Sequence, residues 1–174
     1  MSVVRRATHA DLRHLGGIEA DADRLFAAYL GADPGWPSPP AGERRAAEPG
    51  FVLVAAPDDG PVLGFVHVLE IDGAAHLEQL SVASAAQRQG RGRALVEAAK
   101  AEAASRGHGQ MSLMTYADVP WNAPFYATCG FVQVEPATPF HRRLIRVEED
   151  LGLARYGRRV LMVTSLTTPG VTSE

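Results

Sequence analysis

Residues 87–93 of this chain form a basic, glycine-containing segment with the sequence Gln-Arg-Gln-Gly-Arg-Gly-Arg. The segment stands between an apolar strand pattern at 74–82 and an alanine-rich helix pattern at 94–100. A loop that opens a helix presents backbone N–H groups without intrahelical partners, at the positive end of the helix dipole. Gly90 and Gly92 let the backbone approach a ligand closely, and three arginines add positive charge. The segment suits a phosphate group, although a basic helix start without a ligand has the same pattern.

Size and composition limit the kinds of protein that this chain can be. Its 174 residues suffice for one domain, so we expect a single domain over 1–174. The net charge of −3 argues against a nucleic-acid partner, and no apolar run reaches the ~20 residues of a membrane span. Cys129 is the only cysteine of the sequence, which excludes an intramolecular disulfide and is typical of a reducing compartment. We therefore expect a cytoplasmic protein without a membrane or nucleic-acid partner.

The spacing of apolar residues predicts the order of the secondary-structure elements. Strand patterns occur at residues 3–4, 51–55, 62–71, 74–82, 110–116, 131–134 and 160–166. Helical patterns begin near Thr8 or Asp11 and recur at 23–30, 90–105 and 122–129. Residues 31–42 form a proline-rich loop, and residues 140–153 form either a polar helix or an ordered loop. An antiparallel meander followed by alternating helices and strands predicts an α/β or α+β fold, with a mixed, mostly antiparallel central sheet and helices on both faces.

Glycine and histidine spacing excludes other common ligand sites. Gly90 and Gly92 are not followed by the third glycine of the dinucleotide-binding pattern G-x-G-x-x-G. The sequence also lacks the G-x-x-x-x-G-K-[ST] pattern of nucleoside triphosphatases. The six histidines show no metal-ligand spacing and Cys129 has no partner cysteine, so we expect no metal.

Two motifs resemble those of a known enzyme family. Leu80-Ser81-Val82 followed by residues 87–95 resembles the acetyl-CoA motif of the GCN5-related N-acetyltransferase (GNAT) family, whose core pattern is [QR]-x-x-G-x-[GA]. Residues 122–131 resemble its second signature, a helix carrying N-x-x-x-[FY] followed by a G-[FY] strand start. Residues 4–12 resemble the common first strand and helix of the family, so the resemblance covers most of the chain in the expected order.

The resemblance implies how the chain would hold acetyl-CoA as a co-substrate. The pantetheine arm would lie between two splayed central strands and pair with the backbone of Leu80, Ser81 and Val82. Backbone amides of residues 88–93 would hold the pyrophosphate, and Asn122 would hydrogen-bond the pantetheine. The expected cofactor contacts are therefore Leu80, Ser81, Val82, Gln87, Arg88, Gln89, Gly90, Arg91, Gly92, Arg93, Asn122 and Tyr126.

A general base is expected on the strand before the loop. An alkyl ammonium has a pKa near ~10.4, so transfer to an amine at pH 7 benefits from a base. His76, Glu78 and Leu80 are two residues apart and share one face of a regular strand. Glu78 is the favoured base, acting directly, through water or through His76, because a carboxylate also attracts a cationic amine. The alternatives are a structural ion pair for Glu78 and an ordinary buried or solvated histidine for His76.

The departing thiolate needs a proton, and Tyr126 is the expected general acid. The resemblance places this phenol near the thioester sulfur, whereas aromatic packing of a short helix is the structural alternative. Cys129 invites a covalent intermediate, but no histidine or acid stands beside it in the sequence. We therefore predict that Cys129 is a small buried residue and that transfer is direct and sequential.

The motifs do not identify the acceptor, which we expect to be a small-molecule or peptide amine. Candidate acceptor-side segments are 19–30, the loop around Trp36, and 140–159. Glu19, Asp21 and Asp23 suggest a cationic acceptor, or only a solvated acidic helix surface. Two alternatives to acetyl transfer are a catalytically inactive CoA-binding regulatory or interaction module and a transferase for a longer acyl group. A homodimer is possible.

Overall fold

The computed structural model describes residues 2–167. Within that range the strands are β1 Ser2–Arg6, β2 Gly50–Pro57, β3 Gly64–Ile71, β4 Ala74–Val82, β5 Gln110–Tyr116, β6 Val132–Gln133 and β7 Arg159–Ser165. The helices are α1 His9–Leu30, α2 Gly42–Ala47, α3 Arg91–Ser105, α4 Ala123–Thr128 and α5 Pro139–Leu151, with 3-10 turns at Ser84–Ala86 and Leu153–Tyr156. The strand order is β1-β2-β3-β4-β5-β7-β6. The expected mixed α/β fold with a mostly antiparallel sheet is confirmed.

The chain forms two compact units. The first contains the described residues of Met1–Glu70 together with Glu78–Ala99. The second contains Ile71–Leu77 and the described residues of Lys100–Glu174. Strand β4 contributes its first half to the second unit and its second half to the first.

The first unit is built on an antiparallel meander beside a long helix. Strand β2 pairs with β3, as the sequence predicts, and β1 pairs with β2, a pairing that the sequence patterns did not predict. One face of α1 packs on the meander because apolar residues recur along the helix at a spacing of three or four. The resulting core consists of Leu12, Leu15, Ile18, Val52, Val54, Val62 and Phe65.

Helix α1 is one continuous helix, whereas the sequence predicted a separate second stretch at 23–30. The prediction was wrong because the apolar face of the helix continues to Phe26, which is buried. Packing of this face stabilises the helix across the acidic residues in its middle. Thr8 is the N-cap, and its backbone N–H donates to Asp11 Oδ2 at 2.7 Å. A hydrogen bond from Arg5, opposed by burial and assisted by Thr8, holds the pKa of Asp11 well below its usual range.

The proline-rich loop after α1 leads into a short helix that the sequence patterns did not predict. Trp36 in this loop stacks on Phe26, with ring centroids 5.0 Å apart. Helix α2 then begins at Gly42, where any Cβ atom would overlap the Leu12 carbonyl of α1. Glycine at this position therefore permits the close approach of α2 to α1.

The second unit contains the remaining strand pairings. The first half of β4 pairs in parallel with β5, β5 pairs with β7 in antiparallel fashion, and β6 pairs with β7. Strand β6 is shorter than the expected 131–134 because the Phe131 N–H donates to the Tyr126 carbonyl of α4. After Gln133, the Val134 N–H still donates to the Leu161 carbonyl of β7. Residues 140–153 were left open as helix or loop, and α5 shows a helix, capped where the His141 N–H donates to the Thr138 hydroxyl.

None of the helices within 2–167 is long and apolar enough to cross a membrane.

Candidate active site

The basic segment 87–93 folds into a left-handed turn that opens a helix of the first unit. Arg88 and Gly90 have positive φ angles of 58° and 78°, and α3 begins at the next residue. The first helical bond runs from the Ala94 N–H to the Gly90 carbonyl at 3.0 Å. The N–H groups of Arg91 and Gly92 precede this bond at the positive end of the helix. The predicted glycine-containing helix start is confirmed, and its geometry suits an anion.

Some side chains of segment 87–93 form hydrogen bonds that stabilise the loop, whereas others are exposed to solvent. Arg91 donates through Nη1 to the Ala86 carbonyl at 3.0 Å and to Gln89 Oε1 at 2.5 Å. Gln87 donates through Nε2 to the carbonyl of Val82, at the end of β4, at 3.0 Å. Arg88 is exposed. Arg91 therefore shapes the loop, whereas Arg88 is available to a ligand.

The end of β4 provides the expected backbone positions for a pantetheine arm. Ser81 is buried and its hydroxyl accepts from Gln79 Nε2 at 3.0 Å, while Leu80 and Val82 are half-buried. On the neighbouring β3, Gly64 lies so close that a Cβ would be 2.9 Å from the Ser81 carbonyl. This glycine allows the two backbones to approach each other at the end of β4.

The two candidate bases on β4 differ in exposure. Burial does not alternate along the strand, because Ala75, His76 and Leu77 are all buried and Glu78 is exposed. The His76 ring is 3% exposed, and its Nδ1 lies 3.0 Å from the Ser112 hydroxyl. Its edge faces the Phe140 ring, with centroids 5.6 Å apart. These contacts fit the structural alternative for His76, whereas Glu78 is exposed to solvent.

Asn122 and Tyr126 lie at the two ends of one turn of α4 in the second unit. The Asn122 carbonyl accepts from the Tyr126 N–H at 3.0 Å, and the Asn122 side chain makes no capping bond. The Tyr126 ring is buried and makes edge contacts with the rings of Phe125 and Phe131, at 5.2 and 5.8 Å between centroids. The two signature residues therefore have fixed positions relative to each other.

Burial raises the pKa of the Tyr126 phenol well above its usual range. Cys129 adds to this increase in pKa, and the positive charge of Arg159 opposes it. The phenol is therefore protonated throughout the physiological pH range, which a proton donor requires.

Cys129 has the buried environment predicted for it. Its side chain belongs to the core, and its carbonyl accepts from Lys100 Nζ at 3.0 Å. In the part of the chain that the structure describes, no group of three histidine, cysteine, aspartate or glutamate side chains could hold a metal ion.

Residues 20–131 match the model of a family described as Acetyltransferase (GNAT) family. The chain belongs to this family. The match contains the β4 segment, the basic loop and the helix with Asn122 and Tyr126.

Solved structures with the same fold come from several organisms. The ribosomal-protein-S18-alanine N-acetyltransferase of Escherichia coli is 19% identical, with a TM-score of 0.67, over 100% of this GNAT chain and 99% of that chain. The PaiA N-acetyltransferase of Thermoplasma acidophilum, in complex with coenzyme A, is 16% identical, with a TM-score of 0.67, over 95% and 99%. The N-acetylglutamate synthase of Neisseria gonorrhoeae, complexed with coenzyme A and N-acetyl-glutamate, is 19% identical, with a TM-score of 0.68, over 96% of this chain and 35% of that one.

Some residues near the expected acceptor side have partners that the sequence patterns did not indicate. Asp21 Oδ2 accepts from the Ser84 N–H at 2.6 Å, just after β4, and this bond is the main cause that lowers the pKa of Asp21 to about 2. Arg45 of α2 forms a buried ion pair with Glu19. Because α2 was not predicted, nothing in the sequence pattern placed Arg45 beside this GNAT chain's first helix.

Proposed function

We propose that this chain transfers the acetyl group of acetyl-CoA to a primary amine. The observation that carries the proposal is the left-handed turn at Arg88 and Gly90, which opens α3 within the matched GNAT region. Two of the similar solved structures are named as N-acetyltransferases, and one of these is in complex with coenzyme A.

In the proposed reaction the donor is held mainly by backbone groups. The pyrophosphate of acetyl-CoA accepts hydrogen bonds from N–H groups of residues 88–93, with Gly90 and Gly92 at the closest approach. Backbone groups of Leu80, Ser81 and Val82 pair with the pantetheine, and Asn122 binds it through its side chain. A backbone N–H near Val82 stabilises the oxyanion.

Transfer then takes place in one sequential reaction between amine and thioester. Glu78 removes a proton from the ammonium, directly or through water, and the free amine attacks the thioester carbon. Attack leaves a positive charge and one proton too many on the nitrogen. The tetrahedral intermediate then collapses, the carbon–sulfur bond breaks, and Tyr126 donates its proton to the thiolate. The extra proton on the nitrogen returns to the Tyr126 phenolate, directly or through water, and the proton held by Glu78 passes to solvent. Glu78 is preferred to His76 because the carboxylate is exposed and the imidazole is buried.

The pyrophosphate assignment predicts a selective effect of Gly90→Ala. Gly90 has open space around it, so alanine meets no neighbour, but the left-handed conformation costs a non-glycine residue about 1–2 kcal/mol. We expect the Kd for acetyl-CoA to rise about tenfold as the turn relaxes. Acetyl-pantetheine, which lacks the pyrophosphate, should bind the variant and the original protein equally in calorimetric titrations.

Gly107→Ala is the matched control for this experiment. Gly107 also has a positive φ, 92°, with open space around it, and lies just after the other end of α3. It should leave both dissociation constants unchanged. Equal weakening of acetyl-CoA and acetyl-pantetheine by Gly90→Ala, or no weakening of either, would contradict the assignment of the loop.

A further inference from the structure

A buried ion pair joins α1 and α2 in the first unit. Arg45 donates through Nη2 to Glu19 Oε2 at 2.6 Å, and the two side chains are 7% and 10% exposed. Arginine remains protonated at every pH that a protein survives. Since a lone buried charge is costly, each partner depends on the other for compensation.

Arg45 also contacts an imidazole and an aromatic ring of β3. The Arg45 Nη1 lies 3.2 Å from His67 Nδ1 on β3, and the guanidinium lies 5.7 Å from the Phe65 ring centroid. A guanidinium only donates, so His67 Nδ1 accepts and the imidazole proton is on Nε2. Burial, together with Arg45, lowers the pKa of His67 to about 4, which leaves this imidazole neutral at pH 7.

The ion pair lies close to the part of β4 that carries the candidate base. Strands β3 and β4 are neighbours joined by the tight turn Asp72-Gly73, and Gly64 abuts Ser81. Antiparallel strands place His67, three residues after Gly64, at about the height of Glu78, three residues before Ser81. The bond from Ser84 to Asp21 also fastens the middle of α1 near the end of β4.

Electrostatic coupling agrees with this placement. Burial raises the pKa of Glu19, Arg45 opposes the increase, and the negative charges of Asp23 and Glu78 add to it. Other charged groups of this unit interact with the pair and with His67: Arg45 opposes the increase that burial causes in the pKa of Asp23, and Glu48 Oε2 lies 3.6 Å from His67 Nε2. Because buried charges are weakly screened, removing one partner of the pair changes the electrostatic potential at Glu78, and the solvent around this exposed residue reduces the change.

We propose that Glu19 and Arg45 are positioning residues for acetyl transfer, and that within their ion pair the negative charge of Glu19 offsets the positive charge of Arg45 beside Glu78. The inference rests on the proposed function for its link to catalysis. It adds a role for two residues that are not among the expected cofactor-binding and catalytic residues.

The sign of the effect follows from which charge remains. Glu19→Gln removes one negative charge and leaves Arg45 without its ion-pair partner, which favours the ionised form of Glu78 and repels a cationic amine. The acid limb of the kcat/KM profile should move to lower pH by about one unit, and KM for a cationic amine should rise several-fold. The double variant Glu19→Gln with Arg45→Gln carries no charge at either position, so its acid limb and KM should return toward the original values.

The return in the double variant separates a charge effect from damage to the fold. The double variant has lost the ion pair entirely. If the pair had only a structural role, the double variant would therefore be at least as defective in activity as the single variant. An unshifted profile for Glu19→Gln, or a double variant that stays shifted, would overturn the proposal. If Glu19→Gln does not fold, Arg45→Lys and the double variant replace it in the test. Both variants keep the charges of the pair balanced, so their kcat/KM profiles should keep the original acid limb. A shifted acid limb in either variant would overturn the proposal.

A measurement without turnover distinguishes this inference from the proposed function. The carboxyl carbon of Glu78, in protein labelled with ¹³C at glutamate carboxyl groups and assigned with Glu78→Gln, reports its own titration by NMR. Its midpoint should fall by about one pH unit in Glu19→Gln and return in the double variant. A shifted midpoint without acetyl transfer by the original protein contradicts the proposed function alone, whereas an unshifted midpoint contradicts the charge-balancing role.

Discussion

Tyr126→Phe is expected to lower kcat for acetyl transfer about 10²-fold or more while leaving the Kd for acetyl-CoA within about twofold, the loss typical of a missing general acid. The physical reason is that the variant loses only the phenolic hydroxyl group, and with it the proton donor. Tyr126 is buried between Phe125 and Phe131, so a phenylalanine ring keeps the same edge contacts. Without a donor, the thiolate must leave unprotonated or wait for a proton from water. Stopped-flow or steady-state thiol release gives kcat, and calorimetry gives the Kd.

Tyr116→Phe is the matched control for the loss of a phenol. Tyr116 is also buried, and its hydroxyl donates to the Leu153 carbonyl at 3.1 Å. Its replacement should cost about 1 kcal/mol of stability at most, through one hydrogen bond, and leave kcat unchanged. A Tyr126→Phe variant with full activity would show that Tyr126 only packs the short helix, as in the structural alternative.

Glu78→Gln is expected to lower kcat/KM about 10²-fold at pH 7, with a progressively smaller loss as the pH rises toward ~10. At pH 7 an amine with a pKa of ~10.4 is neutral in only about one molecule in two thousand, so the base is most useful there. Near pH 10 much of the amine is already neutral and needs no base. The comparison requires complete pH profiles of kcat/KM for both proteins with the same amine.

Glu43→Gln controls for the loss of a carboxylate on the same unit. Glu43 is an exposed residue of α2, outside the proposed cofactor and base positions. Its profile should coincide with that of the original protein. If the Glu78→Gln profile were parallel to the original at every pH, the carboxylate would not be the base, and a structural role for Glu78 would remain.

Local patterns were sufficient to predict most of the fold. Apolar strand runs, together with turn residues at 57–61 and at Asp72-Gly73, predicted the meander, and the bounds of β4 and β5 agree with the sequence. Helix α1 was predicted as two pieces because its acidic middle interrupts the apolar pattern, which only the packing of Phe26 explains. Helix α2 has six residues and no side-chain cap, and its position depends on contact between Gly42 and Leu12. No local pattern contains that tertiary information.

For the candidate site too, the sequence was sufficient to predict local motifs but not features that depend on long-range contacts. The basic loop and the Asn122–Tyr126 spacing are local motifs, so the sequence alone was enough to find them. The exposure of Glu78 beside a buried His76 departs from strict alternation and was not predictable from spacing. Arg45 and Glu19 are 26 residues apart and lie on separate helices, so their pairing required the three-dimensional fold.

The most direct test of the account is thiol release from acetyl-CoA in the presence of a panel of amines. The panel should contain small polyamines, amino acids and peptides with free N-termini, and mass spectrometry should identify the acetylated product. The account predicts amine-dependent release of coenzyme A in equal amount to an N-acetylated amine, for at least one member of the panel. Tight binding of acetyl-CoA with no release above hydrolysis for any amine would contradict it and favour a CoA-binding module.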